Sequence, residues 1–221
     1  MTTHTPRARL VHNIRVLRRA DEVIGAAARV FAERGYHGTT TQAIADVLGM
    51  RQASLYYYFP SKEAALEEVC ARGTDGFVEA AERVMREDMP PLKKLELLIA
   101  SHLAQFETMP DYVRVFINER RYLPDASRKR VGRKSRRIER MIEEVIQAGI
   151  DSGSIRPGAD AHLAMLAVLG MCNAVINWRE VDRGRDTRRI AAIFAQLVAN
   201  GLARNGSPPK HRGQPKSEPM P

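Results

Sequence analysis

Residues Thr39 to Lys62 read TTTQAIADVLGMRQASLYYYFPSK, and the fold turns on this stretch. Ile44, Ala45 and Leu48 give a first short helix one apolar side, Gly49 supplies a turn, and Leu55 with Phe59 anchors a second helix. The pattern is a helix-turn-helix. The residues left to face outward on the second helix are Arg51, Gln52, Ser54, Tyr56 and Tyr57. All can hydrogen-bond, which suits a helix laid in the major groove of DNA with its N-terminal residues at base edges.

Outward from this motif, proline and glycine divide the chain into helical lengths with no alternating strand pattern between them. The expectation is an all-α protein of about nine helices, a three-helix helix-turn-helix head followed by a C-terminal helical bundle. Val23, Ile24, Ala27, Val30 and Phe31 form one face of the first helix, which Gly35 suits as a left-handed stop. Thr40 and Ser61 offer hydroxyl caps to the second and fourth helices, the fourth running from about Lys62 to Arg86. Beyond Pro90 and Pro91, apolar spacing predicts helices up to Pro110, over Asp111 to Tyr122, from about Ser127 to Gly153, over Asp160 to Trp178 and over Asp186 to Leu202. The domain reading is a basic flexible arm over 1–19, a DNA-binding domain over 20–60, a ligand-binding and dimerisation bundle over 61–203, and a proline-rich disordered tail over 204–221.

Thirty-five basic against 26 acidic residues leave a formal charge of +9, a balance that favours polyanionic partners. Cys70 and Cys172 lie far apart in apolar patterns, with neither metal-ligand nor disulfide spacing, so a reducing cytoplasm is expected. The N-terminus carries arginines without the apolar core of an export signal. The apolar run Leu163 to Ile176, broken by Asn173, falls short of the roughly 20 residues that span a bilayer, so no membrane association is expected.

In the head, Thr40, Tyr56, Tyr57 and Lys62 are candidates for phosphate contact, and Arg51, Gln52 and Ser54 for base contact; Gln42 is counted with them. The arm, with Arg7, Arg9, Arg15, Arg18 and Arg19, reads either as a segment lying along phosphates or entering an A·T-rich minor groove, or as a solvated terminus. A second basic run, SRKRVGRKSRRIER over Ser127 to Arg140, reads either as a wet surface or, with Arg114, Arg120 and Arg121, as an anion site for the phosphates of a ligand such as an acyl-CoA. Phe106, Met109, Phe116, Tyr122, Met165, Leu169 and Trp178 are candidates to line the adjoining cavity, though each also fits an ordinary core. Ala164, Ala167, Gly170 and Ala174 on the penultimate helix and Ile190, Phe194, Leu197 and Gly201 on the last form stripes that suit a four-helix dimer interface or the closing of the monomer core.

No catalytic constellation is present, since none of the six histidines belongs to an HExxH pattern and no nucleophile elbow or phosphate-cradling glycine loop is found. Neither an enzyme, a cofactor nor a metal site is expected. His102, on an apolar helix face, reads as a satisfied core or pocket histidine.

The run AARVFAERGYHGTTTQAIADVLGMRQASLYYYFPSKEAAL, Ala27 to Leu66, resembles the head of the TetR class of bacterial transcriptional regulators. The resemblance implies a DNA-binding head, a dimerising ligand-binding bundle and repression relieved by a small molecule, with Thr40, Gln52, Tyr56, Tyr57 and Lys62 at DNA-contacting positions. Ala53 stands where the family often carries glycine, a departure that bears on how closely this helix meets DNA. FINERRYLP, Phe116 to Pro124, and GMCNAVINWR, Gly170 to Arg179, resemble the subset that regulates fatty-acid or sterol breakdown and senses acyl-CoA thioesters. That likeness implies Asn118, Glu119, Arg120, Asn173, Asn177 and Trp178 as ligand-region candidates. The resulting expectation is a homodimeric repressor on a palindromic double-stranded operator, released by a small hydrophobic effector such as an acyl-CoA. The alternative is an effector-independent DNA-architectural protein.

Overall fold

The computed structural model describes residues 6–181 and 186–203, with side chains over 17–177 and 186–203. The tail over 204–221, the first five residues of the arm and the Trp178 side chain lie outside the described residues. Nine α-helices run through the described residues, without a strand: α1 (Pro6–Gly38), α2 (Thr41–Val47), α3 (Gln52–Leu55), α4 (Lys62–Met85), α5 (Pro91–Thr108), α6 (Pro110–Glu119), α7 (Asp125–Asp151), α8 (Ala161–Val181) and α9 (Thr187–Leu202). A 3₁₀ turn, Arg120–Tyr122, follows α6.

The local signals act as their chemistry requires. Gly35 takes φ 66° and kinks the end of α1, and Gly49 takes φ 61° in the turn after α2, a backbone region that side chains with a Cβ resist. The Thr40 hydroxyl accepts from the Ala43 N–H at 3.0 Å and that of Ser61 from the Ala64 N–H at 3.1 Å, so both helices start where a donor would otherwise be orphaned. Pro91 and Pro110 open α5 and α6, where their missing N–H costs nothing.

Two expectations are corrected. Residues 6–19, expected as an arm preceding the first helix, are part of α1, which begins at Pro6. The recognition helix is also shorter than its pattern, ending at Leu55; Tyr58 and Phe59 N–H groups both turn back to the Leu55 carbonyl, and Pro60 prevents continuation. Tyr56 and Tyr57 therefore stand on a turn and not on the helix itself.

Val23, Ala27, Val30, Phe31, Ile44, Ala45, Leu55 and Leu66 close the head on one apolar core, continuous with the bundle core through α4. In the bundle α4 packs on α5, α6 and α7, and α5 on α9. Gly73 lets α4 and α6 approach to backbone distance, since a Cβ there would lie 3.0 Å from the Tyr112 carbonyl oxygen. Gly149 does the same for Ile155, which is wholly buried where the chain reverses after α7. There Arg156 N–H donates to the Leu202 carbonyl at 2.9 Å, satisfying the end of α9.

Candidate nucleic-acid interface and effector bundle

The head sorts its residues as an amphipathic reading unit does. Leu55 and Phe59 are buried, whereas Arg51, Ser54, Tyr56 and Tyr57 are exposed, Tyr57 at 83%. Gln52 is half-buried and donates from Nε2 to the Thr41 hydroxyl at 2.6 Å, pinning α3 to the first turn of α2. Gln42 is exposed and donates to Asp46 at 2.6 Å. The Thr40 hydroxyl, whose oxygen caps α2, keeps its own O–H to donate. Lys62 differs most from its expected role. Its ammonium donates to the carbonyls of Tyr36 at 3.0 Å and Thr39 at 3.1 Å and lies 4.1 Å from the centre of the Tyr36 ring. It binds the loop before α2 to the start of α4.

Tyr36 is the centre of this junction. Its N–H donates to the Glu119 carboxylate at 2.8 Å, its hydroxyl donates to Glu63, and its ring stacks on Tyr122 at 5.3 Å with 14° between planes. His37 meets the Tyr122 ring edge-on at 4.6 Å. The Glu63 bond, then burial, pushes the Tyr36 phenol up to about 12, and the same bond holds the Glu63 carboxyl below its ordinary range. Tyr36 is thus neutral and a donor at physiological pH. Sequence reasoning passed over Tyr36 and Glu63, because the only local signal is a tyrosine after the capping glycine, which names no partner.

The ligand candidates divide into two places. Phe106 and Phe116 are buried beside Phe77, with ring centres 6.4 and 6.3 Å away, and Met165 is buried on α8. Met109, Leu169 and Asn173 are half-buried and Asn177 is exposed. Arg120 and Arg121 are exposed on the 3₁₀ turn, their guanidinium carbons 4.8 Å over Phe116 and 5.0 Å over Tyr122. Tyr122 spends its ring on Tyr36 and His37, at the head junction. Between the helices sits His102, stacked 4.3 Å from Phe77, its Nε2 3.1 Å from Asn173 Oδ1. It is the satisfied histidine that the sequence suggested.

Burial lowers the His102 pKa to about 4, opposed only by the Asn173 bond. The folded chain therefore refuses a proton that the unfolded chain takes up near 6.5, and stability present above that value is lost as the pH falls towards 4. The gap corresponds to about 3 kcal/mol. Between pH 7 and 4.5 the wild type should lose about 2 to 3 kcal/mol more unfolding free energy than His102→Gln in denaturant titrations. An equal loss in both would remove His102 from the acid response.

The basic run of α7 is split by its surroundings. Arg130 pairs with Glu67 at 2.5 Å, Lys134 with Asp75 at 2.7 Å and Arg137 with Glu82 at 2.5 Å, three successive links to α4. Lys129, Arg133, Arg136 and Arg140 lie exposed at i, i+4, i+7 and i+11, facing away from the core side of the helix. Leu163, Leu166, Ile193 and Leu197 are exposed along α8 and α9, and a groove of about 280 Å³ between these helices is lined by Ala164, Ala167, Met171, Leu197 and Gly201. Phe194, assigned by its spacing to the stripe on α9, is buried at 7% in the subunit core, and Ile193 takes the outward place. Both cysteines are free and buried, and burial pushes each thiol up to about 12. No described helix is long and apolar enough to cross a membrane.

Comparison with known proteins agrees with this architecture. The model of the tetracyclin repressor-like C-terminal domain matches residues 88–202, and that of bacterial regulatory proteins of the tetR family matches residues 23–69. The transcriptional repressor KstR2 of Mycolicibacterium smegmatis is 26% identical over 188 residues, covering 85% of this chain and 92% of its own. AibR, solved with isovaleryl coenzyme A and operator DNA, superposes with a TM-score of 0.73 at 25% identity over 84% of this chain and 98% of that one. FadR of Bacillus subtilis, solved with stearoyl-CoA, does so with a TM-score of 0.71 at 25% identity over 82% and 98%. KstR2 is named as a transcriptional repressor and FadR as a transcriptional regulator. With a helix-turn-helix head, a helical bundle and both family models matched in order, the chain belongs to the TetR family of bacterial regulatory proteins.

Proposed function

We propose that the protein is a cytoplasmic homodimeric repressor that holds a palindromic operator and leaves it when a small hydrophobic effector, an acyl-CoA thioester, enters the bundle. The observation that carries the DNA half is the sorting of the head: Arg51, Ser54, Tyr56 and Tyr57 point outward while Leu55 and Phe59 are sealed inside. In this reading residues 20–60 bind DNA and residues 61–203 bind effector and partner. Arg51, Gln52 and Ser54 read bases; Thr40, Gln42, Tyr56, Tyr57 and Lys62 hold phosphates.

The effector half is supported by the acyl-CoA ligands of AibR and FadR and by the division of the bundle candidates. Phe106, Phe116, Met109, Met165 and Leu169 offer apolar surface for an acyl chain, and Asn173, Asn177 and Trp178 complete the candidate set. Arg120 and Arg121, exposed on the 3₁₀ turn beside Phe116 and Tyr122, suit its phosphates better than the α7 run does. That run gives three of its cations to α4 and turns four away from the core.

Selection of binding sites from random DNA by the full-length dimer should yield a palindrome that outcompetes random sequence by about 10³-fold or more at physiological salt. Equal affinity for both would leave an architectural protein instead. In thermal shift, long-chain acyl-CoA should raise the midpoint where the free acid does not. Stabilisation by the free acid alone would return Arg120 and Arg121 to bulk surface.

A further inference from the structure

We infer that Glu119 and Tyr122 are positioning residues for the DNA-reading head, and that the joint they make with Tyr36 is the contact an effector opens. The inference rests on the effector reading above and adds the point of transmission. Three elements far apart in sequence meet at Tyr36. The α6 carboxylate of Glu119 accepts its N–H, the 3₁₀-turn ring of Tyr122 covers its face, and α4 grips it through Glu63 and Lys62. Gly35 sits against the same carboxylate, 3.7 Å from where its Cβ would be.

From this joint a continuous chain of contacts leads to the reading surface. Lys62 ties the Tyr36 carbonyl to that of Thr39, and the Thr39 hydroxyl donates back to Gly35 at 2.7 Å. Thr40 then caps α2, and Thr41 receives Gln52 from the recognition helix. The orientation of α2 and α3 relative to the bundle is therefore held at Tyr36 as well as through α4. Arg120 and Arg121 interrupt the two residues that hold it, being the cations between Glu119 and Tyr122. A phosphate drawn to them pulls on the turn that carries the Tyr122 ring and the end of the helix that carries the Glu119 carboxylate. The effector's anionic end and the head thus compete for one short segment. A ligand shifts an equilibrium only by its differential affinity for two states, and this competition supplies the difference.

The test compares full-length wild type, Glu119→Ala, Glu119→Gln and Tyr122→Leu on the operator that the wild type selects, with and without stearoyl-CoA. Glu119→Ala should weaken effector-free binding at least tenfold and shrink the stearoyl-CoA response to less than a third, with melting temperature and dimer unchanged. Glu119→Gln, whose amide oxygen still accepts the Tyr36 N–H, should stay within threefold of wild type. Amide exchange over residues 36–41 should quicken in Glu119→Ala and Tyr122→Leu but not in Glu119→Gln. Wild-type affinity, response and exchange in Glu119→Ala would overturn the inference, as would equal damage from Glu119→Gln. If stearoyl-CoA leaves wild-type binding unchanged, the acyl-CoA reading fails, while effector-free affinity and exchange still decide the joint.

Discussion

Replacing Leu163 and Leu197 together by glutamate should turn the protein into a folded monomer and lower its affinity for the palindrome by about 10² to 10⁴-fold. Each side chain is mostly exposed in the single subunit, at 61% and 58%, so neither contributes to the subunit core. Their neighbours Leu166 and Ile193 extend the same apolar surface across α8 and α9, and the small residues Ala164, Ala167 and Gly201 let a second pair of helices come close. In a two-fold assembly each glutamate would face apolar surface on the partner, where an unpaired carboxylate is expensive. One head then binds one half-site, and the second contact, which in the dimer is made at high effective concentration, is lost. Light scattering reports the mass and electrophoretic shift the affinity. A variant that remains dimeric places the interface elsewhere, and a monomer that keeps wild-type affinity removes the need for two heads.

Leu55→Ala should unfold the reading head at far lower denaturant than its size suggests, costing about 2 to 5 kcal/mol. α3 has only four residues, too few to persist as a helix without tertiary support, and Leu55 with Phe59 is its apolar anchorage. The Leu55 carbonyl also receives the N–H groups of Tyr58 and Phe59, so a displaced Leu55 releases the turn that carries Tyr56 and Tyr57. Tyr57→Ala is the matched control. At 83% exposure its loss should leave stability within about 0.5 kcal/mol while weakening operator binding. Chemical unfolding of the two variants beside their operator affinities separates the roles. If Leu55→Ala were no less stable than Tyr57→Ala, the burial argument for α3 would fail.

The fold was legible because its punctuation is local. Thr40, Ser61, Gly35 and Gly49 act within one turn of themselves, and the apolar periods of α4, α5 and α7 follow from which face must leave water. The errors arose where a local pattern met a competing constraint. The helical pattern from Gln52 onward ends at Leu55, since Pro60 leaves no room for another turn. Phe194 has the spacing of the outward stripe on α9 but lies on its buried edge, a rotation too small for a pattern of small and apolar residues to resolve.

The candidate site was less legible, since its decisive contacts span the chain. Sequence alone determined the residue types at the candidate DNA surface, the likeness to the TetR family and the expected division into head and bundle. Tertiary structure decided what those residues are committed to. Lys62 is held by two carbonyls, the α7 cations divide between α4 and solvent, His102 finds Asn173 across 71 residues, and Glu119 finds Tyr36 across 83. The physical reason is range. Capping and amphipathicity are set by neighbours within about four residues, whereas the partner of a long polar side chain is set by which helices the core brings together.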